Sequence, residues 1–396
     1  MDLPKSVINL THLISFLDLF AVGLTFPVLA PHIRSLGVSH LTVGILSSSY
    51  SILQVLSGPI IGSWSDVRGR KQVFMITLFL SSIFYFLLGL STSIYSIFIV
   101  RLLLGIFKHT QTLIKAVIAD FVKAEDNSKV LGHSTAFSSL GFVIGPIIGG
   151  HLSELRSGFM YICFLTGLIF IINIGFVYML PERKSKKKSI NVGEELFKSV
   201  QDLKKINWKR HWVSFLLKFL FVLSTTIFFV NQSLYLKERY NLSQKHVGYG
   251  ISLVSVIGVA AAFMSGYITK TFYKNRSCNE RAYHSFLMLS SCFIGFYISP
   301  NYYYVIALLI PFGICNSLLR IVTMEILFEK CGPDERGSLN GASDSVMSLA
   351  RSIAPIAGGV IGDAFNENAV MLLAVVPGAI GTLICYRLKE VKEKIK

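Results

Sequence analysis

Asp18 stands in the middle of an otherwise apolar run, VINLTHLISFLDLFAVGLTFPVLAPHI, residues 7–33. A second apolar run carries Arg101, Lys108 and Lys115 at seven-residue intervals, with His109 one position beyond Lys108. Further runs hold Lys218, Asn231 and Gln232, then Asn316, Arg320, Thr323 and Glu325, then Asp344, Ser348 and Arg351. A charged side chain at the centre of a membrane span costs about 2.5–3.5 kcal/mol on the insertion scale, and is usually paired or turned toward a water-filled cavity. A carboxyl group beside a cation can exchange protons, because the cation favours the carboxylate and desolvation favours the acid. The seven-residue spacing puts Arg101, Lys108 and Lys115 on one helix face. At comparable depth, Asp18 is expected to meet Lys108 or His109. Asp18, Arg101, Lys108, His109, Lys115, Asn316 and Arg320 are thus the candidate proton and substrate pathway. A fixed Asp18–Lys108 pair that joins helices and never titrates is the alternative. Lys218 is expected to snorkel to the headgroups. Arg351 and Asp344 read either as an intrahelical pair or as part of the pathway.

The elements that must position these groups follow from composition. Of 396 residues, 52% are hydrophobic and only 15% charged, with a mean hydropathy of +0.59. Soluble domains carry about 25% charged residues, so the chain is expected to be an all-α polytopic membrane protein. Runs of about 20 apolar residues occur near 7–31, 41–62, 73–92, 96–120, 130–152 and 158–180, then near 212–236, 245–269, 282–299, 303–326, 338–361 and 368–386. Twelve transmembrane helices in two pseudo-symmetric six-helix halves result, with bundles at 1–180 and 212–396. The intervening segment 181–211 holds ten Lys/Arg against four acids.

That charge belongs to the gaps. Arg68, Arg70 and Lys71 follow the second run, and Lys270, Lys274, Arg276 and Arg281 the eighth, whereas STSIY and SPNYY carry no basic residue. The excess of Lys and Arg on one side predicts a cytoplasmic linker and cytoplasmic termini. The net charge of +16 therefore points to a lipid bilayer and not to nucleic acid. Six cysteines without paired spacing indicate neither a disulfide framework nor a zinc site. No metal and no cofactor is expected, and the first run is expected to be an uncleaved helix.

The halves also repeat. Val43-Gly44 matches Val247-Gly248, Gly62 matches Gly266, and GPIIGG at 145–150 matches APIAGG at 354–359. Two repeated halves with a site near the bilayer midplane are typical of secondary transporters. Between the second and third spans lies GSWSDVRGRK, with Gly62, Asp66, Gly69, Arg70 and Lys71. Those five positions resemble the signature of the major facilitator superfamily, from which Trp64, Ser65 and Val67 depart. The resemblance implies a latch in which Arg70 pairs with Asp120 at the end of the fourth span. Gly141, Gly145, Pro146, Gly149 and Gly150 resemble that superfamily's antiporter-associated motif. Read physically, small residues at this spacing let helices approach closely, and Pro146 removes a backbone bond. Arg101-Leu-Leu-Leu-Gly105 resembles a motif linked in the superfamily to proton transfer. FLDLF with Pro27 and Pro31 is similar to the first helix of the tetracycline–proton antiporters.

The resemblance implies a secondary active transporter of a small organic solute, coupled to protons by antiport. The net positive cavity inclines the solute toward an anion, and the chain is expected to act as a monomer. A uniporter or symporter of an organic anion, or a transporter-fold receptor without turnover, are the alternatives. No P-loop, HExxH, nucleophile elbow or dinucleotide fingerprint is present, so an enzyme is not expected.

Overall fold

A computed structural model describes residues 3–182, 207–274, 277–329, 331 and 336–395. Most of the basic linker expected at 181–211 lies outside the described residues, as does Arg276.

The described chain is all helical. The first half holds α1 (Leu3–Ser35), α2 (His40–Arg68), α3 (Arg70–Leu90), α4 (Ile94–Phe107), α5 (Thr110–Phe121), α6 (Ala124–Leu152) and α7 (Gly158–Tyr178). The second holds α8 (Trp208–Tyr240), α9 (Gln244–Phe272), α10 (Cys278–Ile298), α11 (Tyr302–Glu329), α12 (Arg336–Ala364) and α13 (Glu367–Ile395). α4 and α5 share one span, Ile94–Phe121, so thirteen helical segments make twelve spans. Eleven of these are long and apolar enough to cross a membrane. α10 is the exception, because its first turns carry Glu280, Arg281 and His284.

Sharp turns explain why adjacent helices reverse in so few residues. Gly69, between α2 and α3, has φ +100°, a conformation that a Cβ disfavours. Gly37 (φ +81°) plays the same part after α1, and Asn241 (φ +50°) caps α8 in the left-handed region. Ser93, Asn207 and Ser277 accept an amide of the following turn at the starts of α4, α8 and α10.

Two compact units form. One comprises Met1–Gly37, Ser49–Val200 and Ser243–Ser252, and the other Val38–Ser48, Gln201–Leu242 and Leu253–Lys396. In the first unit the closest packing is α1 on α6 and α3 on α7. In the second, α13 packs on α10 and α8, and α8 packs on α12. A ring cluster of Phe228, Phe293, Phe296 and Phe312 forms part of its core.

Candidate functional site

The fourth span is not the continuous helix that its apolar run suggests. Lys108 (φ −80°, ψ 85°) and His109 (φ −123°, ψ 31°) leave the helical region between α4 and α5. The single face expected for Arg101, Lys108 and Lys115 is broken there. Irregular backbone at membrane depth is tolerated only where protein or a water-filled cavity satisfies it. Here α2 supplies the partners. Gln54 donates from Nε2 to the Lys108 carbonyl at 3.0 Å, and Ser57 Oγ lies 2.7 Å from His109 Nε2. Ser57 also reaches the Leu53 carbonyl at 2.7 Å.

The break aims Lys108 at Asp18. Lys108 Nζ is 3.1 Å from Asp18 Oδ1, and Gln111, on the first turn of α5, donates to Asp18 Oδ2 at 2.9 Å. The Asp18 side chain is fully enclosed (0% exposed) within the first unit. Lys108 also lies over the Phe170 ring, 5.6 Å from its centroid. His109, the other partner considered, turns to Ser57. Arg101 stacks on the Tyr50 ring at 4.1 Å, and Gln54 reaches the Tyr50 hydroxyl at 3.3 Å. Lys115 is exposed and does not join the cluster. Sequence reasoning missed Gln54, Ser57 and Gln111. The available signal was an amide three residues after Lys108, and polar side chains on the neighbouring apolar run.

α6 holds α1 in place behind Asp18. A Cβ on Gly141 would strike the Phe16 carbonyl, one on Gly145 would lie 2.6 Å from the Phe20 carbonyl, and one on Gly149 would strike the Leu24 carbonyl. The glycine stripe thus meets the FLDLF backbone on both sides of its acid. Pro146 packs its ring at Gly23 and its carbonyl at Gly248, and Gly150 faces Gln244 and Lys245.

The turn after α2 also assembles. Arg70 donates from Nε to Asp120 Oδ2 at 3.1 Å, pairs with Asp66 one turn back, and reaches the Gly62 carbonyl at 3.3 Å and Ser65 Oγ at 2.5 Å. Ser65, a departure from the signature, is therefore a working acceptor. Lys71 lies over the Tyr178 ring at 4.6 Å. The second half holds an arginine–carboxylate contact of its own. Arg281 donates to Glu325 Oε2 at 2.6 Å and to Thr269 Oγ1 at 3.3 Å. A cavity of about 220 Å³ adjoins it, lined by Gly266, Lys270 and Tyr273 among others.

Elsewhere in the second unit, Lys218 does not snorkel. It is 3% exposed and its ammonium donates to Thr323 Oγ1 at 3.3 Å. Burial on α8 between α11 and α12 keeps it from the headgroups. Asp344 and Arg351 influence each other electrostatically but form no ion pair, so the intrahelical pair is absent. Asn316 is half-buried and Arg320 exposed. Among the described residues no three His, Cys, Asp or Glu side chains converge on a metal position.

The chain is similar to known proteins over nearly its whole length. The chain is 26% identical to Multidrug resistance protein 1 of Bacillus subtilis over 385 residues, 96% of each chain. It is 24% identical to the Quinolone resistance protein NorA of Staphylococcus aureus over 387 residues, again 96% of each. Among solved structures, a bacterial homolog of the human lysosomal transporter Spinster superposes with a TM-score of 0.82 at 14% identity, covering 98% of both chains. That likeness speaks for the fold alone. The profile of the Major Facilitator Superfamily matches residues 11–278 and 283–396, nearly the whole chain, and the chain belongs to that superfamily of multi-pass membrane transporters.

Proposed function

We propose that this secondary transporter exchanges a small organic solute for protons, acting as a monomer with cytoplasmic termini, and that Asp18 and Lys108 are its coupling pair. The observation that carries the reading is the enclosed carboxylate bridged to Lys108 and Gln111 across the break in the fourth span. Protonation of Asp18 would cancel its attraction for Lys108 and free the ammonium. Because Lys108 sits on non-helical backbone, it can move without unwinding either α4 or α5. The glycine stripe of α6 lets α1 slide on a smooth surface, and Arg70 with Asp66 and Asp120 latches the two-helix turn in one state. The bundles at 1–180 and 212–396 are the moving bodies, joined by the basic linker at 181–211. Similarity to proteins named for multidrug and quinolone resistance supports export of an organic compound. The finer resemblance of FLDLF, GSWSD, GIFKHT and GPIIGG to the animal major facilitator superfamily domain-containing protein 9 rests on those segments alone and names no solute. The chain is not an enzyme.

One observation favours a second reading. Both Asp18 oxygens are already bonded and no surface is exposed, which also suits a permanent structural pair. Uptake of a panel of labelled organic metabolites into proteoliposomes, with and without a pH gradient, separates the two. Under the coupling reading, Asp18→Asn abolishes the response of flux to the gradient. Flux that still follows the gradient in folded Asp18→Asn assigns the pair to structure.

A further inference from the structure

At one corner of the second unit, hydrogen-bond donors outnumber the acceptors. The end of α9, the start of α10 and the last turns of α11 line the cavity of about 220 Å³ beside Arg281. Arg281 donates from one terminal nitrogen to Glu325 Oε2 and Cys278 Sγ, and from the other to Thr269 Oγ1. Its Nε is buried and has no hydrogen-bond partner. Ser285, only 4% exposed, also lines the cavity, and its hydroxyl makes no hydrogen bond among the described residues. Lys270, exposed and in the same lining, forms neither a hydrogen bond nor an ion pair there. Glu325 is the one acid of the lining, and Arg281 already holds it at 2.6 Å. A buried donor left without an acceptor is costly, so two of them at one cavity call for a ligand that supplies acceptors. The charge points the same way, because Lys270 and Arg281 against Glu325 leave one positive charge over.

We propose that Lys270, Arg281 and Ser285 bind a phosphate group, carried by an anionic phospholipid headgroup or by a small soluble phosphate. Phosphate oxygens accept from Arg281 Nε, the Ser285 hydroxyl and the Lys270 ammonium, and bonds from charged donors are the strong ones. Glu325 occupies a terminal nitrogen of Arg281 and leaves Nε open, so the carboxylate and the phosphate share the guanidinium. The volume falls below the roughly 300–1,000 Å³ of pockets for drug-sized ligands, which suits one acidic group and not a whole organic solute. Leu318 and Ile321 supply an apolar wall for the glycerol of a lipid. The cavity lies at helix ends flanking the basic gap of Lys270, Lys274 and Arg281, where headgroups are expected. The site shares no residue with the Asp18 cluster, so it stands whether or not the chain exchanges protons.

Titration calorimetry of the full-length chain in a non-ionic detergent, at constant ionic strength, tests this. The probes are inorganic phosphate, dihexanoyl phosphatidylglycerol and dihexanoyl phosphatidylcholine. Wild type is expected to bind at least one of the two anionic probes saturably, and about tenfold or more tighter than phosphatidylcholine. Lys270→Gln and Ser285→Ala are each expected to weaken that binding about tenfold, the loss of one charge-assisted bond. Both should fold, since one position is exposed and the other loses a hydroxyl that has no partner. Lys274→Gln makes the same charge change outside the cavity lining and should leave affinity as it is. Tighter binding of phosphatidylglycerol makes a lipid the source, and equal or tighter binding of phosphate makes it a soluble ligand; either result supports the site. The proposal is overturned by no saturable binding of either anion, by phosphatidylcholine binding as tightly, or by unchanged affinity in both Lys270→Gln and Ser285→Ala. A loss in Lys274→Gln as large as in Lys270→Gln also overturns it, because the attraction is then diffuse surface charge.

Discussion

Neutralising Asp18 and Lys108 one at a time and then together measures what the buried pair contributes. At 3.1 Å and an effective dielectric constant near 20, the attraction is about 5 kcal/mol. Each ion has also lost several kcal/mol of hydration, so the intact pair is close to break-even against neutral side chains. The single variants lose the attraction and keep one desolvation cost. Asp18→Asn leaves a sealed ammonium, and Lys108→Met leaves a sealed carboxylate held only by Gln111. Each is expected to lose about 3–5 kcal/mol. Asp18→Asn/Lys108→Met removes both costs and is expected to fall within about 1–2 kcal/mol of wild type, a coupling of at least about 3 kcal/mol. The assay is equilibrium unfolding in mixed micelles, followed by tryptophan fluorescence and checked for reversibility. Additive single effects, with coupling below about 0.5 kcal/mol, would show that the two groups do not interact and would refute the reasoning. The double variant also informs the transport reading, because it should fold yet lose any response to a pH gradient.

Other outcomes follow from the same geometry. Gly149→Ala drives a methyl into the Leu24 carbonyl and should cost about 1–3 kcal/mol, whereas Gly62→Ala meets nothing within 4 Å and should be neutral or stabilising by up to about 1 kcal/mol; the same unfolding assay compares them. Gln54→Leu strands the Lys108 carbonyl and should cost about 1–3 kcal/mol, with faster hydrogen exchange confined to residues around the break as the check. Outside the spans, the Ser243 hydroxyl and then Lys245 hold the Glu154 carboxyl below its usual range. A carboxyl depressed in the folded state stabilises above its unfolded pKa, about 4.3, and that contribution disappears as pH falls through the folded value. The melting difference between wild type and Glu154→Gln should therefore be small and salt-sensitive at neutral pH and vanish in acid. A difference that grows on acidification would reverse the sign argument.

The spans were legible because hydrocarbon accepts only backbone that bonds to itself, which forces long apolar helices. Asp18 was legible as a partner of Lys108 or His109, because depth can be counted along helices of fixed rise. Arg70 with Asp120 came from resemblance to a family signature, and the structure puts them in contact. Other features depend on side chains from distant parts of the chain. The apolar run from Ile94 to Phe121 carries no Pro or Gly at its break. It opens where Gln54 and Ser57 on α2 take over the lost bonds, which no local propensity reveals. Snorkelling was a reasonable expectation for Lys218 from its distance to a helix end, but the neighbours α11 and α12 enclose it. The sequence by itself determined how many helices cross the membrane and which of them carry charge. Only the tertiary structure decided which charges meet, because pairing depends on the rotation and approach of whole helices. Here glycines on α6 bring α1 close enough to seal Asp18, while Arg320 and Arg351 form no ion pair among the described residues.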